Sequence, residues 1–160
     1  MGLTMQGRTD TDFGLLFAQA LNAYVAHLHR QLGERGFSDL RPTFGLPLRA
    51  LHEQPRTLTE LARGLGVSKQ AAAKIVAELD GRSLIEREPS PDDGRATLLR
   101  LSARGRSLVR AAIEIGNAVE RDLARDLGDD AAAHIRAGLE RLAHAPPWSE
   151  PAPVRARRVW

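Results

Sequence analysis

Residues 57–105 read TLTELARGLGVSKQAAAKIVAELDGRSLIEREPSPDDGRATLLRLSARG, and the local order of signals in this stretch decides the fold. Thr57 with Glu60 three residues on is a capping box, the reciprocal hydrogen-bonding pair that starts a helix. Leu58, Leu61, Ala62 and Leu65 then fall on one face. Gly64 and Gly66 permit a tight turn, and Ser68 caps a second helix that runs to about Arg82. That helix turns Ala72, Ile75, Val76 and Leu79 inward, leaving Gln70, Ala73, Lys74 and Ala77 on the opposite arc with Lys69 to one side. Two short strand patterns follow, Leu84–Glu88 and Thr97–Leu101, around a turn at Pro91-Asp92-Asp93-Gly94.

Helix, turn, helix and β-ribbon together outline a winged helix-turn-helix. The outer arc of the second helix suits a major groove. Alanines let the backbone approach, Gln matches adenine, and Lys reaches guanine or phosphate. Thr57, Ser68 and the helix N-terminus suit phosphate contacts. Arg87 adds positive charge on the ribbon, and Arg95 just past the turn, steadied by Asp93, suits a minor groove. The expected DNA-contacting set is therefore Thr57, Ser68, Lys69, Gln70, Ala73, Lys74, Arg87, Asp93 and Arg95. Each also has a plainer reading, as a solvated helix face or an ordinary surface hairpin with an Asp–Arg pair.

Outward from this stretch, residues 1–11 are a polar arm. Asp12 or Thr11 can cap a helix expected over about 12–34, with Phe13, Leu16, Phe17, Leu21, Tyr24, Val25, Leu28 and Leu32 at helical spacing. Its apolar stripe is wider than one neighbour needs, which points to a second subunit. Arg41–Glu53 reads as a shorter helix in which Pro47 is awkward: the helix either starts late or bends there. Gln54-Pro55-Arg56 reads as a turn. Ser102 caps a long helix carrying Leu108, Ala111, Ile115, Val119, Leu123 and Leu127. Gly128-Asp129-Asp130 breaks it, and a last helix holds Ile135, Leu139 and Leu142. Residues 145–160 form a tail rich in Pro and Arg. The expected fold class is mainly α: a winged core over about 40–102 with a small β-wing, plus dimerisation helices at about 12–34 and 102–143, all within 12–144.

The 160 residues carry 23 Lys and Arg against 20 Asp and Glu, a net charge of +3 that permits a nucleic-acid partner without requiring one. Lys69 and Lys74 are the two lysines. The absence of cysteine excludes disulfides, thiol redox sensing and Cys-ligated zinc. No apolar run is long enough to cross a bilayer and no leader pattern opens the chain, so a cytoplasmic protein without a membrane partner is expected. Catalysis is not expected. His27, His29, His52, His134 and His144 lack convincing partners, and no phosphate loop or HExxH is present. No cofactor or metal is implied. Tyr24, His27, Phe44 and His52 are candidates to line a ligand pocket, against the plainer and favoured reading of ordinary core and interface residues.

The chain resembles the MarR family of transcriptional regulators. The match rests on Leu58-Thr59-Glu60-Leu61-Ala62, Val67 to Lys74, Leu79, Leu84-Ile85-Glu86-Arg87, Asp93-Gly94-Arg95 and Leu101-Ser102-Ala103-Arg104-Gly105, in order over roughly residues 12–143. The resemblance implies a homodimer with interlocked N- and C-terminal helices. Each subunit would present one winged lobe to a pseudo-palindromic operator on double-stranded DNA, with Arg95 in the minor groove. It also implies a repressor released by a small aromatic or phenolic effector. Pro47 and the long proline-rich tail depart from the family pattern. The oxidation-sensing mechanism, which needs a first-helix cysteine, is ruled out. A second reading is a winged-helix dimer that serves as a protein-interaction module without specific DNA binding.

Overall fold

The computed structural model describes residues 12–90 and 96–144, and the chain divides into two compact units after Ser38. The first contains helix α1, Phe13–Glu34. Asp12 caps it as expected, its Oδ1 accepting from the Leu15 N–H at 2.9 Å. The helix ends where Gly36 takes a left-handed φ of +84°, which lets the Gly36 and Phe37 N–H groups donate to the Gly33 and Leu32 carbonyls at 3.0 and 2.9 Å. Phe13, Leu16, Phe17, Leu21 and Tyr24 are exposed along α1, and the Phe13 and Phe17 rings lie 6.1 Å apart.

The second unit opens with a single 3-10 turn, Pro42–Phe44, which passes into α2, Gly45–Glu53. This answers the puzzle of Pro47. The α-helix starts late, so Pro47 is its third residue, where an N–H would have no intrahelical partner anyway. The expected turn at 54–56 is in part a strand. Strand β1, Arg56–Thr57, pairs with a later strand, and two residues are too few to show a period in the sequence. Helix α3, Leu58–Gly64, and helix α4, Lys69–Gly81, follow, joined by a turn in which Gly66 adopts φ +63°. Strands β2, Ile85–Pro89, and β3, Thr97–Leu101, complete an antiparallel sheet of order β1-β3-β2. The register sets Ile85 opposite Leu101 and Arg87 opposite Leu99. Compared with the sequence reading, β2 begins and ends one residue later.

The core of this unit gathers one face from every element: Leu48 and Leu51 of α2, Leu61 of α3, Ala72, Val76 and Leu79 of α4, and Ile85, Leu99 and Leu101 of the sheet. Leu84, just before β2, is equally buried. Helix α5, Ala103–Leu127, contributes Leu108, Val109, Ala111 and Ile115. Its apolar stripe, continuous in the sequence, divides its work: the N-terminal half enters this core, while Leu123 and Leu127 remain exposed. Gly128, at φ +90°, turns the chain into α6, Asp129–His144, which carries exposed Ile135 and Leu139. Arg136 of α6 grips Glu120 of α5 through both carboxylate oxygens, which holds the Glu120 carboxyl below the usual carboxylate range.

The junction before α5 gives the Leu-Ser-x-x-Gly motif at Leu101–Gly105 a structural reason. Ser102 Oγ accepts from the Gly105 N–H at 2.9 Å and its hydroxyl donates to the Ser83 carbonyl at 2.6 Å. The Ser102 N–H donates to the Leu84 carbonyl at 3.1 Å. A Cβ on Gly105 would stand 2.0 Å from that same Leu84 oxygen, so only glycine allows the helix to start this close to the chain leading into β2.

Candidate nucleic-acid interface

Helix α4 is capped where the sequence places its start, Ser68 Oγ accepting from the Ala71 N–H at 3.1 Å. Ala72, Val76 and Leu79, spaced four and three apart, bury one face. The opposite face is open: Ser68, Lys69, Gln70, Lys74 and Ala77 are exposed and Ala73 is half-buried. Among the described residues Lys69 and Lys74 form no ion pair, so their charges are available to an anionic partner. Two flexible cationic heads and one amide above a flat alanine floor make a surface that can enter a groove closely and still hydrogen-bond at its bottom.

Thr57 is more committed than the sequence suggests. Its N–H and hydroxyl both donate to Glu60 Oε2, at 2.7 and 2.9 Å, while its Oγ1 accepts from the Glu60 N–H at 3.2 Å. The backbone bond to Thr57, then the hydroxyl, hold the Glu60 carboxyl below its ordinary range. The hydroxyl of Thr57 therefore already serves the start of α3, although the residue lies at the end of β1 beside the wing.

The wing carries internal ion pairs. Arg100 on β3 reaches Glu86 and Glu88 on β2 at 3.0 and 3.2 Å. Arg87, expected as a DNA contact, points toward α4, its Nε donating to Asp80 Oδ2 at 3.2 Å. It remains 48% exposed, so it can still meet a phosphate from one side. The Ser90 N–H donates to the Ala96 carbonyl at 2.8 Å. Asp93 and Arg95 lie outside the described residues.

The four candidate ligand residues are distributed over both units. On α1, Tyr24 is exposed and His27 half-buried, with His27 Nδ1 3.0 Å from Arg30 Nη2. On the second unit, His52 is exposed on α2. Phe44 is a core residue at 2% exposure, with the Arg82 guanidinium 5.1 Å above its ring centroid. Its ring thus packs in the lobe's own core. Among the described residues no group of three or more His, Cys, Asp or Glu is placed to hold a metal ion, and no helix is long and apolar enough to cross a membrane.

Sequence reasoning missed a cluster at the other end of α4, formed by Arg82, Glu78, Asp80, Asp39 and Arg41. No signal could have found it, because Asp39 and Arg82 stand 43 residues apart with no shared motif.

An exposed polar helix behind a tight turn, followed by the β2–β3 hairpin of a three-stranded sheet, defines a winged helix-turn-helix. The pattern of the MarR family matches residues 47–96, from α2 to the hairpin. The transcriptional regulator HosA of Escherichia coli O111:H- is 34% identical over 55 residues, 34% of this chain; the match spans 41% of that relative's length. Likeness in structure extends further. A probable transcriptional regulator from Pseudomonas aeruginosa matches with a TM-score of 0.64 and 29% identity, over 84% of this chain and 99% of that one. The transcriptional repressor CouR, solved bound to a 23-mer DNA duplex, matches at 0.66 and 27% identity, over 89% and 99% of the two chains.

Proposed function

We propose that this chain is a transcription regulator that binds double-stranded DNA as a homodimer and acts as a repressor. The observation that carries the reading is the open face of α4, where Gln70 and Lys74 stand exposed over Ala73 and Ala77 while the helix's other face is sealed in the core. In this reading α4 enters the major groove. Gln70 and Lys74 meet base edges, Lys69 and the Ser68 end of the helix meet phosphate, and the wing with Asp93 and Arg95 follows the adjacent minor groove. CouR, similar over nearly its whole length, is a repressor and was solved on a duplex, which supports both the partner and the direction of control.

Two half-sites require two recognition helices held about 34 Å apart. Exposed apolar side chains suited to that pairing occur on α1, where Phe13 is 70% exposed, and separately on α5 and α6, where Leu127 is 55% and Leu139 49% exposed. The winged core is then about 40–102 and the dimerisation helices about 12–34 and 102–143. A genomic DNA partner implies a cytoplasmic protein. A small aromatic or phenolic effector that releases DNA remains part of the proposal, with Tyr24, His27 and His52 as the side chains to test.

Selection from random duplexes tests this directly. The expected product is a pseudo-palindrome whose half-sites lie one helical turn apart, bound with an affinity that falls steeply with salt. Absence of any shift with random duplex at low salt would instead favour a protein-interaction module.

A further inference from the structure

We propose that Arg82 is a positioning residue for base recognition: it locks the C-terminal end of α4 to residues 39–44 and thereby fixes the tilt at which the helix meets DNA. The proposal rests on the DNA-binding reading above.

Arg82 follows the last residue of α4, and every part of its guanidinium is engaged. Nε donates to the Asp39 carbonyl at 3.1 Å, Nη2 to Asp39 Oδ2 at 2.8 Å, and Nη1 to the Glu78 carbonyl at 3.0 Å. The plane lies over the Phe44 ring. The Arg82 side chain is 25% exposed, while the Asp39 carboxylate that it meets is 82% exposed, so this pair lies at the surface and its value is directional. Glu78, one turn back on α4, accepts from Arg41 at 3.0 Å. Its other oxygen, Oε2, is buried, accepts no hydrogen bond and lies 3.9 Å from Arg82 Nη1. Removal of the guanidinium would leave that oxygen without its nearest cation. Asp39 holds φ at +58°, a left-handed conformation that aspartate tolerates better than most residues. The chain thus accepts local strain where both the carbonyl and the carboxylate of Asp39 face one arginine.

These contacts all sit at one end of the helix. Asp80, in the same last turn, ties α4 to β2 through Arg87. The end that carries Gln70 and Lys74 has no such polar tie among the described residues beyond its own Ser68 cap. Helix α4 has 13 residues, about 20 Å of length, so a tilt of about 5° at the tied end carries the reading end about 1.7 Å. Productive contact geometry tolerates about 0.5 Å. An arginine fork is matched to this task, since its planar donors fix direction as well as distance. A lysine in its place would keep the charge and lose the angle.

The test measures affinity for the selected operator and for random duplex, side by side, in wild type, Arg82→Lys and Asp39→Asn. Asparagine accepts the left-handed backbone, so Asp39→Asn removes the charge without adding strain. The expected result is about a tenfold loss on the operator in each variant, with less than about a twofold change on random duplex, both proteins keeping wild-type helical signal. Operator affinity unchanged in folded variants overturns the proposal. So does a parallel loss on both duplexes that tracks a loss of helical signal, which would make Arg82 a stability residue only. Failure of wild type to prefer any selected operator would overturn the DNA-reading function itself, and the wild-type arm separates that outcome from the others.

Discussion

Replacing Gly105 by alanine should cost this protein a sizeable part of its stability, although it adds a single methyl group. The added Cβ would lie 2.0 Å from the Leu84 carbonyl oxygen and 3.0 Å from its carbon, both of them backbone atoms that cannot swing aside. Relief requires α5 and the chain before β2 to part by at least about 1 Å, judged against the 3.0 Å that real Cβ contacts do not cross. That movement pulls on two bonds spanning the same gap, Ser102 N–H to the Leu84 carbonyl at 3.1 Å and the Ser102 hydroxyl to the Ser83 carbonyl at 2.6 Å. Overpacking of this kind costs about 1–3 kcal/mol, and weakening two partly buried hydrogen bonds adds about 1 kcal/mol each. Alanine returns about 1 kcal/mol through its better helix propensity. The net expectation is a loss of about 2–4 kcal/mol, read by equilibrium urea unfolding at fixed protein concentration with the m-value unchanged. A Gly105→Ala variant within about 0.5 kcal/mol of wild type would refute the claim that this close approach sets the junction.

Other expectations follow from the same geometry. Thr57→Ala should cost about 1 kcal/mol in urea unfolding by removing the α3 cap, since the hydroxyl is part of the capping box with Glu60. Lys74→Ala should weaken operator binding by about 1–3 kcal/mol if the side chain meets a base, and Gln70→Ala should relax preference at one position of the selected site. Titration against salt with operator and random duplex reads both. Leu123→Asp with Leu127→Asp should shift the protein from dimer to monomer in sedimentation and leave the helical signal of the winged core in place, because both side chains are exposed in the protomer. Acid should weaken the fold through Glu60 and Glu120. Both carboxyls sit lower in the folded chain than their ordinary 4.5, so their stabilisation is complete above that pH and fades as pH falls through the folded values. Melting temperatures from pH 6 to pH 3 should therefore drop less for Glu60→Gln than for wild type.

The sequence made the architecture legible where short-range chemistry decides it. Ser68, Thr57 with Glu60, Asp12 and Ser102 each cap the helix they were expected to cap, since a cap is written within four residues. The buried face of α4 was readable from spacing alone. Features that depend on distant partners were not. The strand at Arg56–Thr57 exists because β3 lies beside it, and the division of α5 between core and exposed halves depends on which elements it meets. The Asp80 carboxylate against Arg87 and the Arg82 guanidinium over the Phe44 ring are tertiary contacts that no local pattern announces. The whole Arg82 cluster belongs to this second kind.

Thr57 belongs to two structures at once. It faces Leu98 across the β1–β3 ladder and is also the residue from which α3 begins. Sliding β3 by one position against β1 would bring Leu99 to the solvent side, and a compensating shift of β1 would have to carry α3 with it, because the capping box ties Thr57 to Glu60. A strand only two residues long can thus hold the wing in phase with the helix-turn-helix.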